Sequence, residues 1–516
     1  MNISSDRSTD TSKRTLAAVG VMLVIFLFAI DATIVATSMP TIVAQLGGLE
    51  LYSWVFSIYM LASALTTPVF GKLADLFSKR RLMLIGIGVF LLGSILCGIA
   101  QSMEAMVLYR AIQGLGGGAI YALSFIVVGV LYPAEMRAKV QGFISGIWGL
   151  ASILGPVAGG IIVENWSWRW IFFVNLPLIA IATALIVIGL KEQPSERRKP
   201  QLDLAGGAAL LIGLLLIFYA LSRSAHAHHP LNAESLVYVG AGVAVMILFF
   251  FIEKRAAEPI IPLDLFHVPL YRSAAAVATL SAMGVFGAIS YMPLYLQGVS
   301  GIAASRAGLT LLVLSVAWTG GSLLAGKGIN RIGYRWVACA GMTLLALGYA
   351  IFVLPHVNLG IAAIVVSALV IGVGMGLANL TTLVAAQSTV AQQRIGVATS
   401  TIMLFRTFGA AFVVSLMGTV MLSHMQRAVN TIKASNTSIS NELWNKLANP
   451  QNLLEPTTRA QIPSDLLPKL IASLADSLWF AFLTGFLLML VGVIASLKMG
   501  NYAPADTARP GKTSSV

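Results

Sequence analysis

Fourteen stretches of about twenty residues or more are predominantly apolar, and no other feature of the 516-residue chain constrains its folding as strongly. A helix of that length, rising about 1.5 Å per residue, crosses the hydrocarbon of a bilayer. Inside lipid every peptide group must be hydrogen-bonded within the protein, which favours helices. The stretches fall at 16–39, 51–71, 82–101, 104–131, 138–163, 168–190, 202–222, 234–252, 272–297, 306–326, 336–355, 360–390, 397–423 and 474–498, with boundaries soft by a few residues. Only 10% of residues are charged and 57% are hydrophobic, so no soluble domain of useful size remains between them. The expected fold class is an all-α integral membrane protein with 14 transmembrane helices. The first fifteen residues are polar and no small-residue cleavage site follows the first apolar run, so that run reads as a retained span and not as a signal peptide.

Charge orients the chain. With the N-terminus inside, the segments 1–15, 72–81, 132–139, 191–201, 253–272, 327–335, 391–396 and 498–516 face the cytoplasm and hold 23 of the 33 Lys and Arg residues. The short outer loops hold Arg169, Arg223 and Arg306 alone. This asymmetry predicts both termini in the cytoplasm and a multi-pass protein of the cell membrane. It also accounts for the net charge of +13. A nucleic-acid partner would need its basic residues on one soluble module, whereas these mark helix ends, so nucleic-acid binding is excluded. The cluster KEQPSERRKP at 191–200 reads as a linker between two blocks of helices, placed to meet anionic membrane lipid.

An internal echo suggests what the blocks are. GKLADLFSKR at 71–80 and GKGINRIGYR at 326–335 share Gly, Lys and a final Arg in register, each between two spans on the cytoplasmic side. Either copy alone is a tight turn obeying the charge rule; the pair argues for two related halves. The expected organisation is a cytoplasmic tail at 1–15 and an N-terminal six-helix bundle at 16–190. A basic linker with two inserted helices follows at 191–271. A C-terminal six-helix bundle occupies 272–498, including a long outer loop at 424–473, and a cytoplasmic tail covers 499–516. Within the outer loop, SNELWNKLANPQNLL reads as a short amphipathic helix broken at Pro450.

Of the twenty Asp and Glu residues, nineteen map to termini, loops or span ends, and Asp31 alone lies deep in a span, within FAIDATIVATSMP. An ionised group at a bilayer centre costs about 2.5–3.5 kcal/mol on insertion scales, so it persists where it is paired, protonated or facing water. Arg110 is the matching cation. Counting along the helices, Asp31 lies roughly 12 Å and Arg110 roughly 9 Å below the outer ends of their spans. Either the two form a permanent ion pair that holds helices together, or they serve function. Other chemistry is sparse. Cys97 and Cys339 lie in apolar runs far apart and read as packing residues, and His226, His228 and His229 sit in one polar loop that more often solvates than binds metal, so no metal is expected. No G-x-x-x-x-G-K-[ST] phosphate loop and no catalytic cluster of carboxylates, histidines or cysteines is present, so neither an ATP-driven pump nor an enzyme is expected.

Five stretches together resemble the major facilitator superfamily, and within it the fourteen-helix drug:proton antiporter branch. GKLADLFSKRR at 71–81 resembles the loop between helices two and three, with Leu76 and Ser78 standing where an Arg and a Gly are usual. LYRAIQGLGGG at 108–118 is similar to the fourth-helix motif with its buried arginine, here Arg110. GLASILGPVAGGII at 149–162 resembles the fifth-helix motif associated with antiporters, and FAIDATIVATSMP and WRWIFFVNLP resemble segments of the fourteen-helix branch. The resemblance covers nearly the whole chain.

What the resemblance implies is two six-helix bundles plus two inserted helices, and proton-coupled efflux of amphipathic or cationic drugs, with the proton as coupling ion and no cofactor. Asp31 and Arg110 are then the proton-coupling residues, with Asp31 also meeting cargo. The latch on the cytoplasmic side is implied at Gly71, Asp75 and Arg80, echoed by Gly326 and Arg335. Gly155, Pro156, Gly159 and Gly160 strip bulk from one helix face, which serves either a pivot or plain helix packing. Aromatic and amide side chains on spans that the fold places centrally are candidate substrate contacts: Gln113, Trp148, Tyr291, Tyr295, Gln297 and Trp318. Arg406 lines the cavity, attracts anionic groups or snorkels to lipid phosphate. The same fold would also serve a specific exporter of one metabolite or siderophore, and an importer less well, since fold and cargo are loosely linked. The implied location is a bacterial cytoplasmic (inner) membrane, with a periplasmic adaptor and outer-membrane channel left open.

Overall fold

The computed structural model describes residues 3–48, 51–190, 203–226, 233–256, 259–302, 304–353, 360–434, 443–444, 447 and 461–500. The basic linker at 191–200, His228, His229, Pro450 and nearly all of the C-terminal tail lie outside them. Among the described residues the chain is helical without strands. In order, the helices are α1 (Ile3–Leu46), α2 (Tyr52–Leu76), α3 (Lys79–Gly98), α4 (Met103–Leu131), α5 (Ala134–Asn165), the single turn α6 (Trp170–Phe173), α7 (Asn175–Gly189), α8 (Leu204–His226) and α9 (Ala233–Arg255). They continue as α10 (Pro269–Leu294), α11 (Ala304–Val353), α12 (Ile361–Ser388), α13 (Ile395–Ala434) and α14 (Leu467–Leu497).

Local chemistry sets several of the ends. Ser78 and Ser102 precede α3 and α4, and each side chain accepts from the backbone N–H three residues on, Arg81 and Ala105, satisfying a donor that the helix leaves open. Gly333, at φ 79° and ψ 173°, reverses the chain inside α11, a left-handed backbone that glycine adopts at no steric cost. The two arms of α11 then lie side by side, with Gly328 against Val337.

Eleven helical segments among the described residues are long and apolar enough to cross a membrane, which makes this a multi-pass membrane protein. Of the fourteen stretches expected, those at 306–326 and 336–355 are the two arms of the one helix α11, and those at 138–163 and 202–222 fall on α5 and α8. Three boundaries differ. Helix α1 begins at Ile3, so most of the polar tail prolongs the first helix; the run at 168–190 is broken at Val174; and α13 continues to Ala434, well into the stretch expected as loop.

Helices α1 to α7 pack together, with α4 between α2 and α3, and α1 against α5 and α7. Helices α10 to α14 form a second group, centred on Tyr349, Phe352 and Phe482, where Phe352 and Phe482 stack 4.0 Å apart and the Tyr349 hydroxyl donates to the Gly284 carbonyl at 2.6 Å. In lipid no hydrophobic force draws helices together, so close packing and interhelical hydrogen bonds, about 0.6 kcal/mol each, carry the association. Such bonds tie Asn175 to Ser94 and Trp168 to Gln45. Side chains such as Ile85, Leu92, Val157, Ile161, Phe250 and Phe251 stay exposed on the outside, where acyl chains would meet them. The groups meet where α2 and α4 touch α13 and where α5 touches α11 and α12, and the α8–α9 pair leans across the seam between α2 and α13.

Candidate coupling and cargo site

Asp31 lies in the middle of α1, fully buried, and its carboxylate is committed on both oxygens. Arg110 donates from Nη1 to Oδ2 at 2.6 Å, and Gln113 donates from Nε2 to Oδ1 at 2.8 Å. Arg110 also donates from Nη1 to Gln113 Oε1 at 2.7 Å and from Nε to the Val55 carbonyl at 3.3 Å. Its guanidinium lies 4.0 Å from the centre of the Tyr59 ring. Helix geometry brings this about. Arg110, Gln113, Gly117 and Tyr121 follow at spacings of three and four residues, so α4 presents them as one stripe toward α1 and α2. The glycines of LYRAIQGLGGG let the helices meet: a side chain at Gly114 would strike the Tyr59 backbone, and one at Gly117 would strike the Phe28 ring. Because the pair is buried and hydrogen-bonded on every side, removing one member leaves the other uncompensated, at a cost of about 3–5 kcal/mol.

Aromatic rings continue from the pair toward the middle of the molecule. Phe28, one turn from Asp31, stacks on Tyr59 at 5.8 Å and on Tyr121 at 5.4 Å, and Trp148 of α5 stands edge-on to Phe28 at 5.8 Å and to Tyr121 at 6.3 Å. Beyond Tyr121 comes the second helix group. Arg406 of α13 is close enough to Tyr121 to interact electrostatically, and it donates from Nη2 to the Asn379 carbonyl and, at 2.9 Å, to Thr382 Oγ1, both on α12. Arg406 is 8% exposed, and its Nε, like Asn379 Oδ1, has no hydrogen-bond partner.

The seam between the groups is closed at the end that carries the α2–α3 turn. Asp75, at the end of α2, accepts from the backbone N–H groups of Gly396 and Val397 at 2.7 and 2.8 Å, so a carboxylate from one group caps the first turn of α13 in the other. Gly71 lies against Ser400 so closely that any side chain would collide. Gln141 donates to Gln387 Oε1 at 2.9 Å, Gln387 to Thr399 Oγ1 at 3.0 Å, and Gln392 to the Val130 carbonyl at 3.3 Å. Arg80 occupies the first turn of α3. The second copy of the sequence echo makes no equivalent clasp. Gly326 and Arg335 sit on the two arms of α11, where Arg335 lies over the Trp336 ring at 5.3 Å, and Asn330 stands at the register of Asp75.

The remaining sequence candidates divide by position. Gly155 packs on Thr33 beside Asp31, and Thr33 Oγ1 donates to the Ala151 carbonyl at 3.1 Å; Gly159 is buried, nothing lies within 4 Å of a side chain added at Gly160, and Pro156 falls within α5 without ending it. Tyr291 and Tyr295 are drawn into the second core. The Tyr291 hydroxyl donates to the Val414 carbonyl at 2.6 Å, and Tyr295 packs edge-on to Phe352 and Phe482. Gln297 is half-buried in a short π-turn at Tyr295–Val299, and Trp318 packs on the same core, its Nε1 without a partner. The aromatic part of the site thus joins Trp148, a candidate from the sequence, to three rings that were not among the candidates, Phe28, Tyr59 and Tyr121. The spacing of Phe28 from Asp31 and of Tyr121 from Arg110 was the available signal. Asn379 and Thr382 carried none, because their role depends on how α12 meets α13.

Comparison with known proteins identifies the family to which this fold belongs. The sequence profile described as Major Facilitator Superfamily matches residues 21–414. The multidrug transporter protein MdtP of Bacillus subtilis is 33% identical over 94% of this chain and 93% of its own length. Multidrug resistance protein 3 of the same organism is 30% identical over 98% of this chain and 99% of its own. Among solved structures, the human organic anion transporter MFSD10 superposes with a TM-score of 0.63 at 14% identity, covering 94% of this chain and 99% of that one, a likeness that speaks to the fold alone.

Proposed function

Since this chain belongs to the Major Facilitator Superfamily and is similar over nearly its whole length to two multidrug proteins of Bacillus subtilis, we propose that it is a proton-coupled exporter of amphipathic organic compounds, of the fourteen-helix drug:proton antiporter branch. The observation that carries the coupling is the burial of Asp31 in one network with Arg110 and Gln113. Only a change of charge state loosens such a network. Protonation of Asp31 removes the counter-charge of Arg110 and weakens the tie between α1 and α4, and proton loss restores it. The proton is the coupling ion, and no cofactor enters the scheme.

In this reading the α2–α3 end is cytoplasmic, and Asp75 on Gly396 and Val397 holds that end shut while the opposite end admits or releases cargo. Rocking of one helix group against the other about the central site gives alternating access. Cargo rests against Trp148, Tyr121 and Phe28, whose rings accept flat apolar bodies. Gln113 both positions Asp31 and borders this surface, while Gln297 and Trp318 remain candidates for the second wall. The protein sits in a bacterial inner membrane with both termini inside, in contact with anionic lipid. Delivery to a periplasmic adaptor and outer-membrane channel is a further step of the same proposal.

The test is accumulation of a fluorescent amphipathic dye in cells with and without the chain, and with Asp31→Asn at matched expression. Lower accumulation with the native chain, abolished by the substitution and by collapse of the proton gradient, supports coupled efflux. Equal accumulation in all cases contradicts it.

A further inference from the structure

The central layer of the molecule holds one carboxylate and two guanidinium groups, and their pairing is unequal. Asp31 is fully used by Arg110 and Gln113, so that pair contributes no net charge. Arg406 has no carboxylate partner among the described residues. One of its nitrogens bonds a backbone carbonyl and the Thr382 hydroxyl, and its Nε is buried without any partner. A buried guanidinium is a costly group to leave unpaired, and its fork of donors matches the two oxygens of a carboxylate or sulfonate. Its setting suits a ligand. Arg406 belongs to the second helix group, whereas Tyr121, across from it on α4, belongs to the first and leads into the rings of Phe28 and Trp148. An anion bound there would lie between the halves that move, beside an aromatic surface.

We infer that the cargo of this transporter is an amphipathic organic acid, bound with its anionic group on Arg406 and its ring system against Tyr121, Trp148 and Phe28. The inference rests on the efflux reading for the word cargo but on the charge inventory for its chemistry. It narrows the class expected from sequence, since the charge of Asp31 in this arrangement is already balanced by Arg110 and offers no net attraction to a cationic ligand. The alternative is a purely structural Arg406 that braces α12 against α13 through the Asn379 carbonyl.

A matched series separates the two: binding of 2-naphthoate, 2-naphthamide and 2-naphthylmethylammonium to the purified full chain, followed by calorimetry. The acid is expected to bind at least about tenfold tighter than the amide or the ammonium compound. Arg406→Gln keeps a donor for the Asn379 carbonyl and should abolish the preference for the acid over the amide; Arg406→Lys should retain part of it. Binding of all three probes with equal affinity, preference for the ammonium compound, no binding at all, or an acid preference that survives in Arg406→Gln would each overturn the inference. Should Arg406→Gln fail to fold, the order of the three probes on the native chain decides alone. The readout needs no proton gradient, so loss of dye efflux would count against the efflux reading and not against the acid preference.

Discussion

At the scale of single residues, the network around Asp31 makes the sharpest demands. Arg110 serves four partners with one planar group, which a lysine cannot do from a single ammonium. Arg110→Lys is therefore expected to lower thermal stability in detergent and to abolish efflux, and native-like behaviour in both would show that the fork geometry is dispensable. Asp31→Asn leaves Arg110 buried without a counter-charge and should destabilise by about 3–5 kcal/mol. The double variant Asp31→Asn, Arg110→Gln should recover much of that stability without recovering transport, a non-additivity that a mutant cycle measures directly. Equal stability of the single and double variants would contradict a buried ion pair. At Gly155 any larger residue meets Thr33, so Gly155→Leu is expected to push α5 from α1 beside Asp31 and to reduce efflux at least about tenfold. Much of this was legible in the sequence. Asp31 and Arg110 stand out as lone charges in apolar runs, and their depths match by counting. Of the rings around them only Trp148 was among the candidates, because an aromatic in an apolar run looks the same whether it faces lipid, core or cavity.

At the scale of helices, the clasp of α2 on α13 is the element that closes one end. Asp75 caps a helix from the opposite group, an interaction worth about 0.5–2 kcal/mol, and Gly71 against Ser400 allows the approach. Asp75→Ala should shift the molecule toward the state open at that end. A cysteine placed at the buried Ser400 is then expected to react several-fold faster with a soluble maleimide, and unchanged labelling would rule out Asp75 as the clasp. The neighbouring pair Asp264 and Arg394, bonded twice at 2.7 and 2.9 Å on the surface, matters less. Arg394 beside Asp264 holds its carboxyl below the usual carboxylate range, so this contribution, under about 1 kcal/mol, is present above that range and lost as pH falls through it. Asp264→Asn should therefore lower stability near neutral pH by less than about 1 kcal/mol and cost nothing once the pH is below that range, as thermal denaturation at the two pH values would show. The motif GKLADLFSKRR announced the clasp by resemblance. Its echo at 326–335 did not repeat the contact, and the sequence alone shows why: the carboxylate position is Asn330. Helices α1 and α13 run beyond their apolar stretches because apolarity marks the part of a helix inside lipid, whereas a helix continues for as long as its backbone bonds are met.

At the scale of the whole molecule, two helix groups meet along one seam, with charge and rings at its centre and a clasp at one end. Apolar run lengths carried the all-helical membrane fold, since it follows from hydropathy. Gly333 joins two of the apolar runs inside α11, a reversal that hydropathy alone does not mark. The cargo chemistry proposed for the centre was hidden, because it depends on Arg406 having no carboxylate partner among the described residues, and pairing is a property of three dimensions. The central claim is that the buried carboxylate couples proton movement to cargo movement. Its most direct measurement follows a pH-sensitive dye in inverted vesicles energised to an acid interior, with a cargo identified by the efflux assay added to the native chain or to Asp31→Asn. The account predicts that cargo dissipates the proton gradient with the native chain and leaves it intact with Asp31→Asn. Equal dissipation by both would contradict it and remove Asp31 from the coupling path.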